Sequence, residues 1–149
     1  MHTIVAAVDV SPQAEPVIQA LQTLNLHPDL TIVLAHILPP PPLEFDVPAD
    51  VPRGVREERE RLLAAEEFLH ELGDDISRRA GDRLQHPVKV EIATGDPAEE
   101  IVRLASIHNA DLVVLGTRGL AGVNRVILGS VSTAVVEAAP CSVYVVKPC

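Results

Sequence analysis

Short runs of β-branched and other apolar residues alternate along the whole chain with stretches whose apolar residues recur at helical spacing, and few architectures are compatible with that rhythm. Thr3–Val8 (TIVAAV) reads as a strand, followed by Ser11-Pro12, an N-cap with proline at the first helical position. Val17, Ile18, Leu21 and Leu24 then repeat at helical spacing. Leu30–Leu38 is a second strand. Residues 39–52 (PPPPLEFDVPADVP) carry six prolines, which forbid regular structure and predict a surface loop. Arg56 to about Ala80 is expected to be a long charged helix with Leu62, Ala65, Leu69, Leu72 and Ile76 on its apolar stripe. Val88–Ile92 is a third strand, and Asp96-Pro97-Ala98-Glu99 opens a helix with a capping-box pattern. Leu112–Leu115 is a fourth strand, a last helix starts at Gly129 or Ser130 and runs to about Ala139, and Ser142–Val146 is a fifth strand. Strands alternating with helices imply an α/β fold, a parallel sheet wound on both faces.

Composition narrows the class further. With 149 residues, 47% of them apolar, one domain spanning 1–149 can bury about two-thirds of its unfolded surface. A net charge of -9 argues against a nucleic-acid partner or an anionic membrane surface, either of which asks for a basic face. The N-terminus MHTIVAAVDVS has neither the basic region nor the apolar run of a signal peptide, so a cytoplasmic protein is expected. Cys141 and Cys149 have no ligand spacing and form no disulfide framework. Six histidines show no metal-ligand spacing, and His36, inside an apolar strand, reads as a hydrogen-bonded core residue. The run REERERLLAAEEF reads as a solvated helix face, with a partner-docking surface as the alternative.

The edge strands differ. VKVEI alternates apolar with charged, as an edge with one solvated face should. SVYVV is apolar on both faces, and a second copy of the chain is the expected cover, with a loop over the edge of a monomer as the alternative.

The segment Gly116–Ser132 (GTRGLAGVNRVILGSVS) points to chemistry. Gly116 and Gly119 remove side chains, so backbone N–H groups could approach an anion. Gly129-Ser130 lies where the last helix begins, and the N–H groups and positive dipole end there suit phosphate oxygens. The hydroxyls of Ser130 and Ser132 add donors. No Asp or Glu occurs from Leu112 to Val136, where a chain this acidic would place roughly three or four, and Arg118 and Arg125 are the only charges. Ligands of wound parallel sheets sit beyond the carboxyl ends of the strands, where Asp9 and Gly116 would share one crevice if the first and fourth strands are neighbours. The spacing is neither a P-loop nor G-x-G-x-x-G, and by itself leaves open plain turns, helix capping by Asp9 and helix capping by Ser130.

The pattern Gly116-x2-Gly119-x9-Gly129-Ser130 resembles the G-2x-G-9x-G-S/T signature of the ATP-binding branch of the universal stress protein family. IVAAVDVS, TGDPAEEIVRLASIHNADLVVLGTRG and GSVSTAVVEAAPCSVYVVKP are also similar to that family, so the likeness covers all but the proline loop. The resemblance implies a Rossmann-like three-layer α/β/α fold with a five-stranded parallel sheet in order 3-2-1-4-5. It implies a homodimer through strand five, Val143, Tyr144, Val145 and Val146. It further implies that Asp9 meets the ribose or the adenine edge, with Ala7 and Val8 beside the base and Ile37 packed on it. Leu115, Gly116, Arg118 and Gly119 would line ribose and phosphates, and Gly129, Ser130, Val131 and Ser132 would cradle the phosphates. Where the family often has Asp-Gly-Ser this chain has Asp9-Val10-Ser11, and a positive φ at Val10 would be costly.

Three functions are compatible with the sequence. The first is a regulatory stress protein that binds ATP or another adenine nucleotide, with Mg²⁺ on its phosphates, as a switch. The second is a slow ATP hydrolase or phosphotransfer enzyme, disfavoured because the glycine segment holds no Asp, Glu, His or Lys to act as a base. The third, a nucleotide-independent protein acting through its dimer surface, predicts a disrupted glycine signature, whereas the signature here is intact.

Overall fold

A computed structural model describes residues 2–9, 14–24, 27–39, 52–116 and 129–147. Five parallel strands, β1 (Thr3–Ala7), β2 (Thr31–Leu38), β3 (Lys89–Thr94), β4 (Leu112–Gly116) and β5 (Ser142–Val146), form one sheet in the order β3-β2-β1-β4-β5. Among the described residues, α-helices lie between successive strands: α1 (Glu15–Thr23), α2 (Pro52–Ala80), α3 (Pro97–Ile107) and α4 (Ser130–Ala138). The expected α/β fold and strand order are therefore present.

The helices divide between the two faces because the strand residues alternate. Ile4, Ala6, Ile32, Leu34, Leu112 and Val114 bury against Val17, Ile18 and Leu21 of α1 and Leu69 and Ile76 of α2. Val5, Val33, Ala35, Val113 and Leu115 bury against Ile101, Leu104 and Ala105 of α3 and Val135 of α4. The three central strands carry apolar residues at consecutive positions because both of their faces are covered.

Side chains fix two element ends. The Asp96 carboxylate caps α3 by accepting from the Glu99 N–H at 3.0 Å, and Pro97 sits in the first turn where its missing N–H costs nothing. At the amino end of the sheet, Asp111 accepts from the N–H groups of His2 (2.6 Å) and Thr3 (3.0 Å), which clips the entry of β1 to the entry of β4. Those two bonds hold its carboxyl below the usual carboxylate range. Partial burial pushes the Cys141 thiol up, as expected of a small packing residue with no activating partner.

Several boundaries differ from expectation. The first helix is described from Glu15, with Pro16 in its first turn, while Ser11 and Pro12 lie outside the described residues. The long helix begins at Pro52 rather than near Arg56, since a proline that breaks a helix interior is well suited to a helix start. The rest of the proline segment, 40–51, lies outside the described residues. On α2 the stripe holds for Ala65, Leu69 and Ile76, but Leu62 is 36% exposed because residues 56–64 all lie clear of the sheet. No helix among the described residues is long and apolar enough to cross a membrane.

Candidate functional site

The order β1-β4 at the centre of the sheet makes a switch point, with α1 after β1 on one face and α4 after β4 on the other. The register pairs Ala7 with Leu115, so Asp9 and Gly116 follow at the same, carboxyl, end of adjacent strands. Gly116 is paired in turn with Val146 of β5.

The start of α4 faces that end. Its N-cap is Gly129, extended at φ -66° and ψ 168°, which supplies no capping oxygen. No acidic residue lies in the first turn, so nothing there opposes the positive end of the helix dipole. The two serines differ sharply. Ser130 is exposed, whereas Ser132 is only 2% exposed and its hydroxyl donates to Gly129 O at 3.1 Å. A hydroxyl has one proton to give, so that of Ser132 holds the helix start and is not offered outward. Val131, between them, is partly buried against the α3–α4 side of the core.

The opposite side of the crevice is built from β1 and β2. Val8 N–H donates to Ala35 O at 2.9 Å, extending the strand pairing one step past Ala7. Val8 O then accepts from the ring of His36, Nδ1 at 2.9 Å. A carbonyl can only accept, so Nδ1 carries the proton. His36 is 5% exposed, and the expected hydrogen-bonded core histidine is found. Ala7 is half-buried, while Val8 (7%), Ile37 (5%) and Leu115 (3%) have their side chains packed into the core. Those three side chains therefore belong to the core and present no open apolar face.

The structure thus places Ala7, Val8, Asp9, Ile37, Leu115 and Gly116 toward the carboxyl ends of neighbouring strands, and Gly129, Ser130, Val131 and Ser132 at the start of α4, which follows β4. Arg118 and Gly119 lie outside the described residues. Among the described residues no three His, Cys, Asp or Glu side chains cluster to hold a metal ion. The role of His36 beside Asp9 escaped the sequence reading. A polar residue in an apolar run signals a buried hydrogen bond, but its partner depends on the register between β1 and β2.

On the second edge, β5 pairs only with β4 among the described residues. Val143 and Val145 pack on the α3–α4 side, Val146 is buried on the other, and Tyr144 is 40% exposed.

Comparison with known proteins is consistent across sequence and structure. A family model described as the universal stress protein family matches residues 1–147. A universal stress protein of Methanothermobacter thermautotrophicus is 35% identical over 107 residues, 68% of either chain. One from Methanocaldococcus jannaschii is 38% identical over 84 residues, a match that spans 54% of this chain and about half (49%) of that relative. Among solved structures, the universal stress protein UspA of Lactobacillus plantarum superposes with a TM-score of 0.75 at 24% identity, covering 97% of both chains. An Arabidopsis thaliana family member solved with AMP bound gives 0.67 at 23% identity, covering 100% of this chain and 93% of that one. The Archaeoglobus fulgidus protein in complex with dAMP gives 0.59 at 22%, covering 99% and 98%.

Proposed function

The chain belongs to the universal stress protein family, and we propose that it binds an adenine nucleotide, ATP or a close relative, in the crevice between the tips of β1 and β4 and the start of α4. The observation that supports this reading is that residues of opposite chemistry, Asp9 after β1 and the glycine-capped start of α4, follow the carboxyl ends of adjacent strands. The start of α4, glycine-capped and free of acids in its first turn, is suited to phosphate oxygens. The Asp9 carboxylate would repel phosphate but accept from ribose hydroxyls or an exocyclic amine, so the ligand lies with its sugar and base toward β1 and its anionic tail toward α4. Relatives of the same fold bind AMP and dAMP, which supports the adenosine end of the assignment.

Arg118 and Gly119 complete the phosphate side in this reading, and Gly116 and Gly119 keep side chains out of its path. Mg²⁺ would arrive on the phosphates, at the α4 end. Binding is favoured over turnover because Gly116–Ser132 contains no residue able to act as a general base. Nucleotide occupancy would then act as a switch on a homodimer joined through β5, which pairs with β4 alone among the described residues and carries the exposed Tyr144.

Calorimetry with ATP, ADP, AMP and GTP tests the reading directly. Adenine nucleotides bind, GTP binds far more weakly, and Gly119→Val abolishes binding while leaving the circular dichroism spectrum unchanged. ATP affinity that survives Gly119→Val refutes the phosphate assignment.

A further inference from the structure

We infer that His36 is a positioning residue of the nucleotide site, acting through the main chain of Val8 on the carboxylate of Asp9. This rests on the nucleotide reading above and adds to it a residue from β2 that no ligand contact requires.

The carbonyl that His36 engages belongs to the peptide unit joining Val8 to Asp9, so the 2.9 Å bond from Nδ1 fixes the plane of that peptide and with it the Cα of Asp9. Regular parallel pairing would use a main-chain N–H of β2 as the next donor after the Val8 N–H to Ala35 O bond. Here the imidazole supplies the donor instead, and the β1–β2 ladder stops at the Val8 N–H. The side chain thus ends the sheet pairing and satisfies the carbonyl that the ending would orphan. His36 is itself 5% exposed, and its strand is paired to β1 and β3. A donor fixed in this way transmits its own rigidity to the first residue of the crevice. A flexible Asp9 would lose rotamer and backbone freedom on binding, and prior immobilisation removes that cost from the ligand's affinity.

Asparagine reproduces the donor at the Nδ1 position, glutamine places its amide where Nε2 lies, and leucine supplies neither. Calorimetry is run on wild type and all three variants with adenosine, ATP and inorganic tripolyphosphate. His36→Leu should weaken adenosine and ATP by the same factor, about tenfold, and leave tripolyphosphate unchanged, because only the adenosine end meets Asp9. His36→Asn should bind adenosine within about threefold of wild type, and His36→Gln should follow His36→Leu. If His36→Leu fails to fold, the contrast between asparagine and glutamine decides. Adenosine binding by His36→Leu equal to wild type, or an equal loss of adenosine and tripolyphosphate, overturns the assignment while leaving the nucleotide reading intact. A wild-type chain that binds neither adenosine nor ATP overturns the nucleotide reading, and this one with it.

Discussion

Ser130 and Ser132 stand two residues apart in the same turn, yet their alanine variants should fail in different assays. The Ser132 hydroxyl is buried and donates to Gly129 O, which also accepts from the Thr133 N–H at 3.0 Å. Ser132→Ala therefore removes one hydrogen bond without orphaning its acceptor, a loss of about 0.5–1.5 kcal/mol of stability. For a chain of this length each kcal/mol corresponds to roughly 2–4 °C in the melting temperature. Its effect on ATP affinity should be small. Ser130 is exposed at the first position of α4, so Ser130→Ala should leave melting within about 1 °C of wild type. A hydroxyl donating to a phosphate oxygen is a charge-assisted bond worth about 1.5–3 kcal/mol, so the same variant should weaken ATP roughly ten- to a hundredfold. Differential scanning calorimetry and titration calorimetry on the two variants separate the roles. A Ser132→Ala protein with unchanged melting but weakened ATP binding would refute the division of labour.

Other expectations concern the rest of the molecule. Gly95, at the tip of β3, has φ +148°, a region essentially closed to side chains, and an added Cβ would meet Glu100 Cγ at 3.2 Å. Gly95→Ala should cost about 1–3 kcal/mol in urea unfolding, and a loss that disappears in a Glu100→Ala background would show that contact rather than backbone strain sets it. Asp111 has a folded pKa lowered from 3.8, so its two N–H bonds stabilise the fold above that value and lose their effect as pH falls through the folded pKa. The parent should lose more stability than Asp111→Asn between pH 6 and pH 3, and parallel curves would count against it. Tyr144→Glu should weaken self-association in sedimentation velocity with little change in melting, because this side chain is exposed while Val143 and Val145 pack on the core. A Tyr144→Glu protein that sediments like the parent would remove β5 as the interface.

Much of the architecture was legible because strands and helices write their periods directly into the apolar pattern. The alternation of VKVEI marked an edge, and the switches between apolar runs and helical spacing marked the five strands. The start of α4 at Ser130 and the capping of α3 by Asp96 followed from residue types whose effect is local. Pro52 was misassigned because proline signals both a broken helix and a begun one, and only the neighbouring structure distinguishes them. Leu62 was misassigned because a helix can extend beyond the sheet it packs on, which its own periodicity does not record.

What the sequence determined by itself is therefore the element types, the glycine-rich segment free of acids and the chemistry it favours, since each depends on residues close together in the chain. What tertiary structure decided is which of those residues meet. The β1–β4 pairing put Asp9 and Gly116 at the same end of adjacent strands, and the β1–β2 register put the His36 ring on the peptide that carries Asp9. Burial turned Ser132 inward and left Ser130 exposed. Contacts between residues far apart in the chain depend on strand order and register, and these are settled by packing the whole core at once rather than by any local preference.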